Sequence, residues 1–231
     1  MKKIVKIAAI VVAVVLVIAL VAPMVLRGKI AEIVKREANA MLDARLDFEK
    51  LDISLLRHFP RASLDLKGLT LVGEEPFAGD TIVAAQRISV VVNVMSLFGD
   101  EGFEVTKIIL SEPALHAHKL ADGRVNWDVM KASEEAQGEE ETPADAEPSS
   151  VRDFWISDAS IRYEDDSTGM RFSTAPLSLR LRGDMSADQT DLDLRLTAKG
   201  MRLVSGGIPM LSGAEAELDA VIAADLANSR F

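Results

Sequence analysis

The chain has 231 residues, a formal net charge of −10 and no cysteine. Without thiols it has no disulfide, no thiolate nucleophile and no Cys-ligated metal. With no basic patch it also lacks a nucleic-acid footprint.

At the N-terminus, Ile7 to Leu26 form twenty residues without a charge, preceded by Lys2, Lys3 and Lys6. Twenty helical residues span a hydrocarbon core of about 30 Å. Ile7, Ile10, Val14, Leu16, Ile18, Leu20, Val25 and Leu26 are the expected membrane-facing side chains of an uncleaved anchor over residues 1–28. A cleaved signal peptide fits less well, because its apolar core is shorter and ends in a small-x-small site. Here Pro23 directly follows Ala22. Arg27, Lys29, Lys35 and Arg36 oppose the three leading lysines, so charge alone leaves the orientation open.

Residues 29–46 read as an amphipathic helix, with Ile30, Ile33, Val34, Ala38, Met41 and Leu42 at helical spacing. It either lies on the bilayer or caps the first strands, and capping is the favoured expectation. A first β segment follows over 47–130. Leu64 and Leu66 alternate with Asp65 and Lys67, and after Gly68 the phase flips to Leu69 and Leu71, as at a β-bulge. Residues 81–95 are expected to put Ile82, Ala84, Ile88, Val90, Val92 and Val94 on one face. Asp122-Gly123 is a hairpin signal.

Residues 131–150 carry seven acids against one Lys, a net of −6, with two prolines and no aliphatic larger than Ala. Such a segment cannot bury enough surface to fold and is expected to be a disordered linker. In the second β segment, 151–231, Leu177, Leu179 and Leu181 alternate with Ser178, Arg180 and Arg182. Leu192, Leu194 and Leu196 alternate with Asp193 and Arg195, and Ala214, Ala216, Leu218, Ala220, Ile222 and Leu226 continue the pattern.

The two segments share a repeat. Ile108-Ile-Leu-Ser-Glu-Pro-Ala-Leu115 aligns with Phe154-Trp-Ile-Ser-Asp-Ala-Ser-Ile161 at an offset of 46 residues. Two copies of one unit indicate an elongated, repetitive β structure. Every strand is apolar on one side and charged on the other, which antiparallel sheets with one wet face display. The apolar side is either the core of a two-layer sandwich or an open trough that needs a ligand such as lipid. Alternation does not separate the two.

Chemistry-bearing motifs are sparse. His116 and His118 share a strand face, but the repeat aligns His116 with Arg162 on the charged side, so a solvated pair is expected rather than a metal site. Asp165-Asp166-Ser167-Thr168-Gly169 lacks the alternating oxygens of a calcium loop and reads as a hairpin turn. No nucleophile elbow, P-loop or dinucleotide fingerprint occurs. Trp127 and Trp155 sit among apolar residues and are expected in a core. Nothing points to catalysis, a metal or a cofactor.

The order of elements resembles the N-terminal region of AsmA family proteins. The matching features are a Lys-rich start, one anchor, an amphipathic segment, one-sided strands, Ile109-Leu-Ser-Glu-Pro-Ala-Leu115, Asp122-Gly-Arg-Val-Asn-Trp127, an acidic linker and Ser157-Asp-Ala-Ser-Ile161. The resemblance implies a bacterial inner-membrane protein with its N-terminus in the cytoplasm and its bulk in the periplasm. It also implies outer-membrane biogenesis and a kinship with bridge-like lipid transfer proteins, whose sheets bend into an acyl-chain groove. No catalytic residues come with it. Family members run longer, whereas this chain stops at Asn228-Ser-Arg-Phe231 as a turn leads toward another strand, so a fragment is expected.

The resulting expectation is a mainly β protein with an elongated, curved antiparallel sheet forming an open groove, and a β-sandwich as runner-up. Phospholipid acyl chains are the expected ligand, facing Leu177, Leu179, Leu181, Leu192, Leu194, Leu196, Val90, Val92 and Val94. A structural scaffold that modulates outer-membrane protein assembly is the alternative.

Overall fold

A computed structural model describes residues 28–58, 61–93, 104–131, 151–185, 187 and 189–225. The apolar run 7–26, Val94, the acidic residues 132–150 and Leu226 lie outside the described residues. Among the described residues no helix is long and apolar enough to cross a membrane.

Helix α1 covers residues 28–41. The strands are β1 (Ala44–Asp47), β2 (Lys50–His58), β3 (Arg61–Gly73), β4 (Thr81–Asn93), β5 (Val105–Lys119), β6 (Asp153–Asp165), β7 (Met170–Arg182), β8 (Gln189–Ser205) and β9 (Ile208–Asp225). All nine lie in one sheet, ordered β1-β3-β4-β5-β6-β7-β8-β9, with β2 also pairing β3. The result is a single curved, open sheet with one helix. The β-sandwich expectation is overturned, because no second sheet covers it among the described residues.

α1 ends earlier than residue 46. Leu42 bridges Met130, and Ala44–Asp47 already pair with β3. Asn39 fixes this exit: its Nδ2 donates to Leu46 O at 2.8 Å, and Leu46 N donates to its Oδ1 at 2.7 Å. Lys35 pairs with Asp47 and lies 4.5 Å over the Phe48 ring. Ile30 and Ala31 pack on the core formed by Phe48, Leu51, Leu69 and Ala85. The helix thus caps the first strands, yet Ile33, Val34 and Met41 remain exposed.

The repeat fixes the middle of the sheet. β5 and β6 run parallel, with Ile108 opposite Phe154 and Leu115 opposite Ile161, so the 46-residue sequence offset is also the pairing register. This corrects the all-antiparallel expectation. Parallel neighbours need a long crossover, and residues 120–152 supply it. Every other pairing is antiparallel.

A line of backbone irregularities crosses the sheet at one level. Gly68 of β3 (φ 62°) stands opposite Gln86 of β4, and Gln86 stands opposite Glu112 of β5 (φ 48°). The repeat places Asp158 of β6 (φ 55°) at the position equivalent to Glu112. In β7 the line falls at Ala175–Pro176, in β8 at Gly200 (φ 61°) and in β9 at Gly213 (φ 73°). Positive φ shifts the alternation, and prolines such as Pro113 and Pro176 are tolerated in strands at such bulges.

Both sides of the line contribute to one face: Leu64, Leu66 and Ile88 pack into the same cluster as Leu69, Val83 and Ala85. The phase flip expected at Gly68 therefore occurs, and β4 flips with it. The expectation that Ile82 and Ala84 share a face with Ile88, Val90 and Val92 fails for that reason.

Candidate functional site

Below this seam, partner residues define two apolar rows. One runs Leu51, Leu66, Ile88, Leu110, Ile156, Leu179, Leu196 and Leu218; the other runs Ile53, Leu64, Val90, Ile108, Phe154, Leu181, Leu194 and Ala220. Each crosses eight strands from β2 to β9 without a polar side chain. With strands about 4.8 Å apart, each row is roughly 34 Å long.

These side chains are not sealed. Leu177, Leu179, Leu181, Leu194, Leu196 and Val90 are half-buried, and Leu218 and Ile222 are 46% and 43% exposed. Leu192 and Val92 are buried. Among the described residues Asn126, not a hydrophobe, is the largest fully buried side chain. Two interdigitating layers would enclose large aliphatics. A single layer leaves them half covered.

Leu179 lies opposite Leu196, Leu181 opposite Leu194, Leu177 opposite Ala198 and Leu192 opposite Ile222, so the structure brings these expected leucines onto one face. Val90 joins them through Ile108 and Phe154. Ile53, Leu64, Leu66, Leu110, Ile156 and Leu218 belong to the same face, beyond the lipid-facing set expected from sequence. Their alternation is visible in the sequence, whereas the register that joins them is not. Beyond the seam the face continues through Leu71, Val83, Leu115 and Ile161, and ends near Tyr163, whose ring is 6.2 Å from Trp127.

The opposite face is charged. Asp153 accepts from Lys107 at 2.9 Å and Arg180 at 3.0 Å. Burial pushes its carboxyl up, but these hydrogen bonds outweigh burial and hold it below the usual carboxylate range. Trp155 lies on this face with Lys107 and Arg180 at 6.0 and 5.5 Å from its ring. Trp155 and Trp127 are 37% and 46% exposed, so neither is core.

The histidines are more enclosed than a solvated pair. His118 Nε2 lies 3.0 Å from Asp166 and its Nδ1 3.4 Å from Asp80, tying two turns to β5. His116 stacks on it at 5.9 Å. Asn126 closes the edge of β5 beyond β4: its Nδ2 donates to His116 O at 2.9 Å, and its Oδ1 accepts from His118 N at 2.9 Å. Asp122-Gly123 forms the turn that brings it there, with Leu120 N donating to Arg124 O. The 165–169 segment is a hairpin turn, in which Asp165 Oδ1 accepts from Ser167 N at 2.9 Å and Thr168 N at 3.2 Å. Among the described residues no group of three or more His, Asp or Glu side chains is placed to hold a metal.

No curated protein and no solved structure matches the chain. The model described as the AsmA family matches residues 1–196, which include both copies of the repeat, and the chain belongs to that family.

Proposed function

We propose that this is an inner-membrane-anchored, periplasmic β-groove protein that carries phospholipid acyl chains in outer-membrane biogenesis, without catalysis. The observation that carries this reading is the pair of uninterrupted apolar rows, which α1 caps only at the first strands and no second sheet covers among the described residues. Acyl chains in water cost about 0.8 kcal/mol per methylene, so a transfer path has to be apolar throughout. Family membership suggests membrane- and lipid-related processes, in keeping with such a path. The run 7–26 would serve as the anchor, and the exposed Ile33, Val34 and Met41 of α1 suit a bilayer interface.

The test is native mass spectrometry of the full chain after extraction from bacterial membranes in mild detergent. Stoichiometric phospholipid is expected. Folded protein released free of lipid refutes the reading.

A structural scaffold is the second reading, and β9 favours it. This strand exposes Ile208, Met210 and Val221, and among the described residues its outer edge has no partner strand and could accept an added one. A scaffold predicts a folded, lipid-free protein that cross-links to outer-membrane assembly factors through β9.

A further inference from the structure

The seam opens a second surface on the charged face. Directly above it, a concavity of about 670 Å³ spans β5 to β8, lined among others by His116, Ser160, Arg162, Ser173, Gly200 and Arg202. Register explains its composition. His116, Arg162, Ser173 and Arg202 form one row across four strands. Ala114 and Ser160 next to the seam, and Ala175 and Gly200 of the seam itself, are all small, which leaves open space beside the row. A Cβ on Gly200 would stand 3.0 Å from Ala175 O, so nothing larger fits that position without a shift.

The arginines here differ from Arg180 and Arg195 on this face. Arg180 and Arg195 are paired with Asp153 and Asp219. Among the described residues neither Arg162 nor Arg202 has an ion-pair partner. Of the nearby carboxylates, Asp80 is engaged by His118, and Glu164 lies 3.8 Å from His116 Nε2. That nitrogen is buried and makes no hydrogen bond. One strand, β7, lies between Arg162 and Arg202, a separation of two strand spacings or roughly 10 Å at the backbone, so both long side chains can converge on one group. Planar guanidinium groups bind phosphate oxygens in a bidentate manner.

We propose that this concavity is an anion site for a phosphate group, held by Arg162 and Arg202 with hydroxyls from Ser160 and Ser173. These four side chains alternate with the apolar face and belong to neither apolar row, so the site stands apart from the lipid-carrying reading.

The test is calorimetric titration of the full chain in neutral detergent with two probes that lack acyl chains. Inorganic phosphate represents the free ion, and glycerophosphoglycerol represents a phospholipid headgroup. Saturable binding of either probe is expected, weakened about tenfold or more in Arg162→Ala/Arg202→Ala, the scale of one charge-assisted hydrogen bond. Both residues are exposed, so circular dichroism of the variant should match the parent. Preference for phosphate identifies the free ion, and preference for the diester identifies a headgroup. Absence of saturable binding of both probes overturns the proposal, as does equal affinity in the double variant.

Discussion

Placing two charges in the apolar rows tests the groove directly. Leu179 of β7 and Leu194 of β8 are half-buried and belong to neighbouring rows. An extended acyl chain advances about 1.25 Å per methylene, given bonds of about 1.52 Å at tetrahedral angles. Crossing one strand spacing of about 4.8 Å therefore sets roughly four methylenes against it. Complete burial of those would contribute about 3 kcal/mol. An open sheet covers one side of the chain only, so about 1.5 kcal/mol per strand is the better figure, and about 3 kcal/mol for two. At 1.4 kcal/mol per factor of ten, Leu179→Asp/Leu194→Asp should lower phospholipid affinity about 100-fold. Native mass spectra of lipid occupancy read this, with far-UV circular dichroism as the check on β content. Arg195→Ala on the charged face is the control and should retain lipid. Undiminished occupancy in a double variant with native β content refutes the argument. If the variant unfolds, Leu179→Ala/Leu194→Ala keeps the face apolar; unfolding there too, from a lipid-free parent, makes those leucines ordinary core.

Three further outcomes are expected. Asn126→Ala strands the His116 carbonyl and His118 amide at the edge of β5; it should cost about 1–3 kcal/mol, read as a lower midpoint in thermal unfolding. Gly200→Ala forces a side chain into positive φ beside Ala175 O, at about 1–2 kcal/mol, whereas substitution of an ordinary exposed strand residue such as Thr197 should change the midpoint far less. His118 gives a pH dependence: burial pulls its pKa down, but hydrogen bonds to Asp166 and Asp80 outweigh burial and raise it above 6.5. Its stabilising contribution is complete below pH 6.5 and disappears as pH rises through the raised value. The midpoint difference between the parent and His118→Gln should be constant on the acid side and shrink on the alkaline side; a difference that grows with pH contradicts this.

Much of the apolar face is legible strand by strand. Leu177, Leu179 and Leu181 alternate with polar residues because a pleated strand sends successive side chains to opposite faces, and the 46-residue repeat by itself aligns Leu115 with Ile161. The rows are not legible in this way. They exist because Leu66 meets Ile88, Ile88 meets Leu110 and Leu110 meets Ile156, and pairing register is a tertiary property that alternation does not encode. The two tryptophans mislead for a related reason: apolar neighbours in sequence say nothing about whether a second layer exists to cover a ring.

The seam shows the same division. Gly68 announces a change of phase in its own strand, since glycine readily adopts positive φ. The repeat equates Glu112 with Asp158, but nothing in the sequence announces that Gly68, Gly200 and Gly213 fall at their level. Composition and periodicity determined that this chain builds long, one-sided strands with a repeated unit and an acidic break between the copies. Tertiary structure decided that the copies lie side by side in parallel, that their bulges align into one line, and that the apolar face stays open. Local pattern selects which side of a strand avoids water, whereas only long-range pairing selects what that side meets.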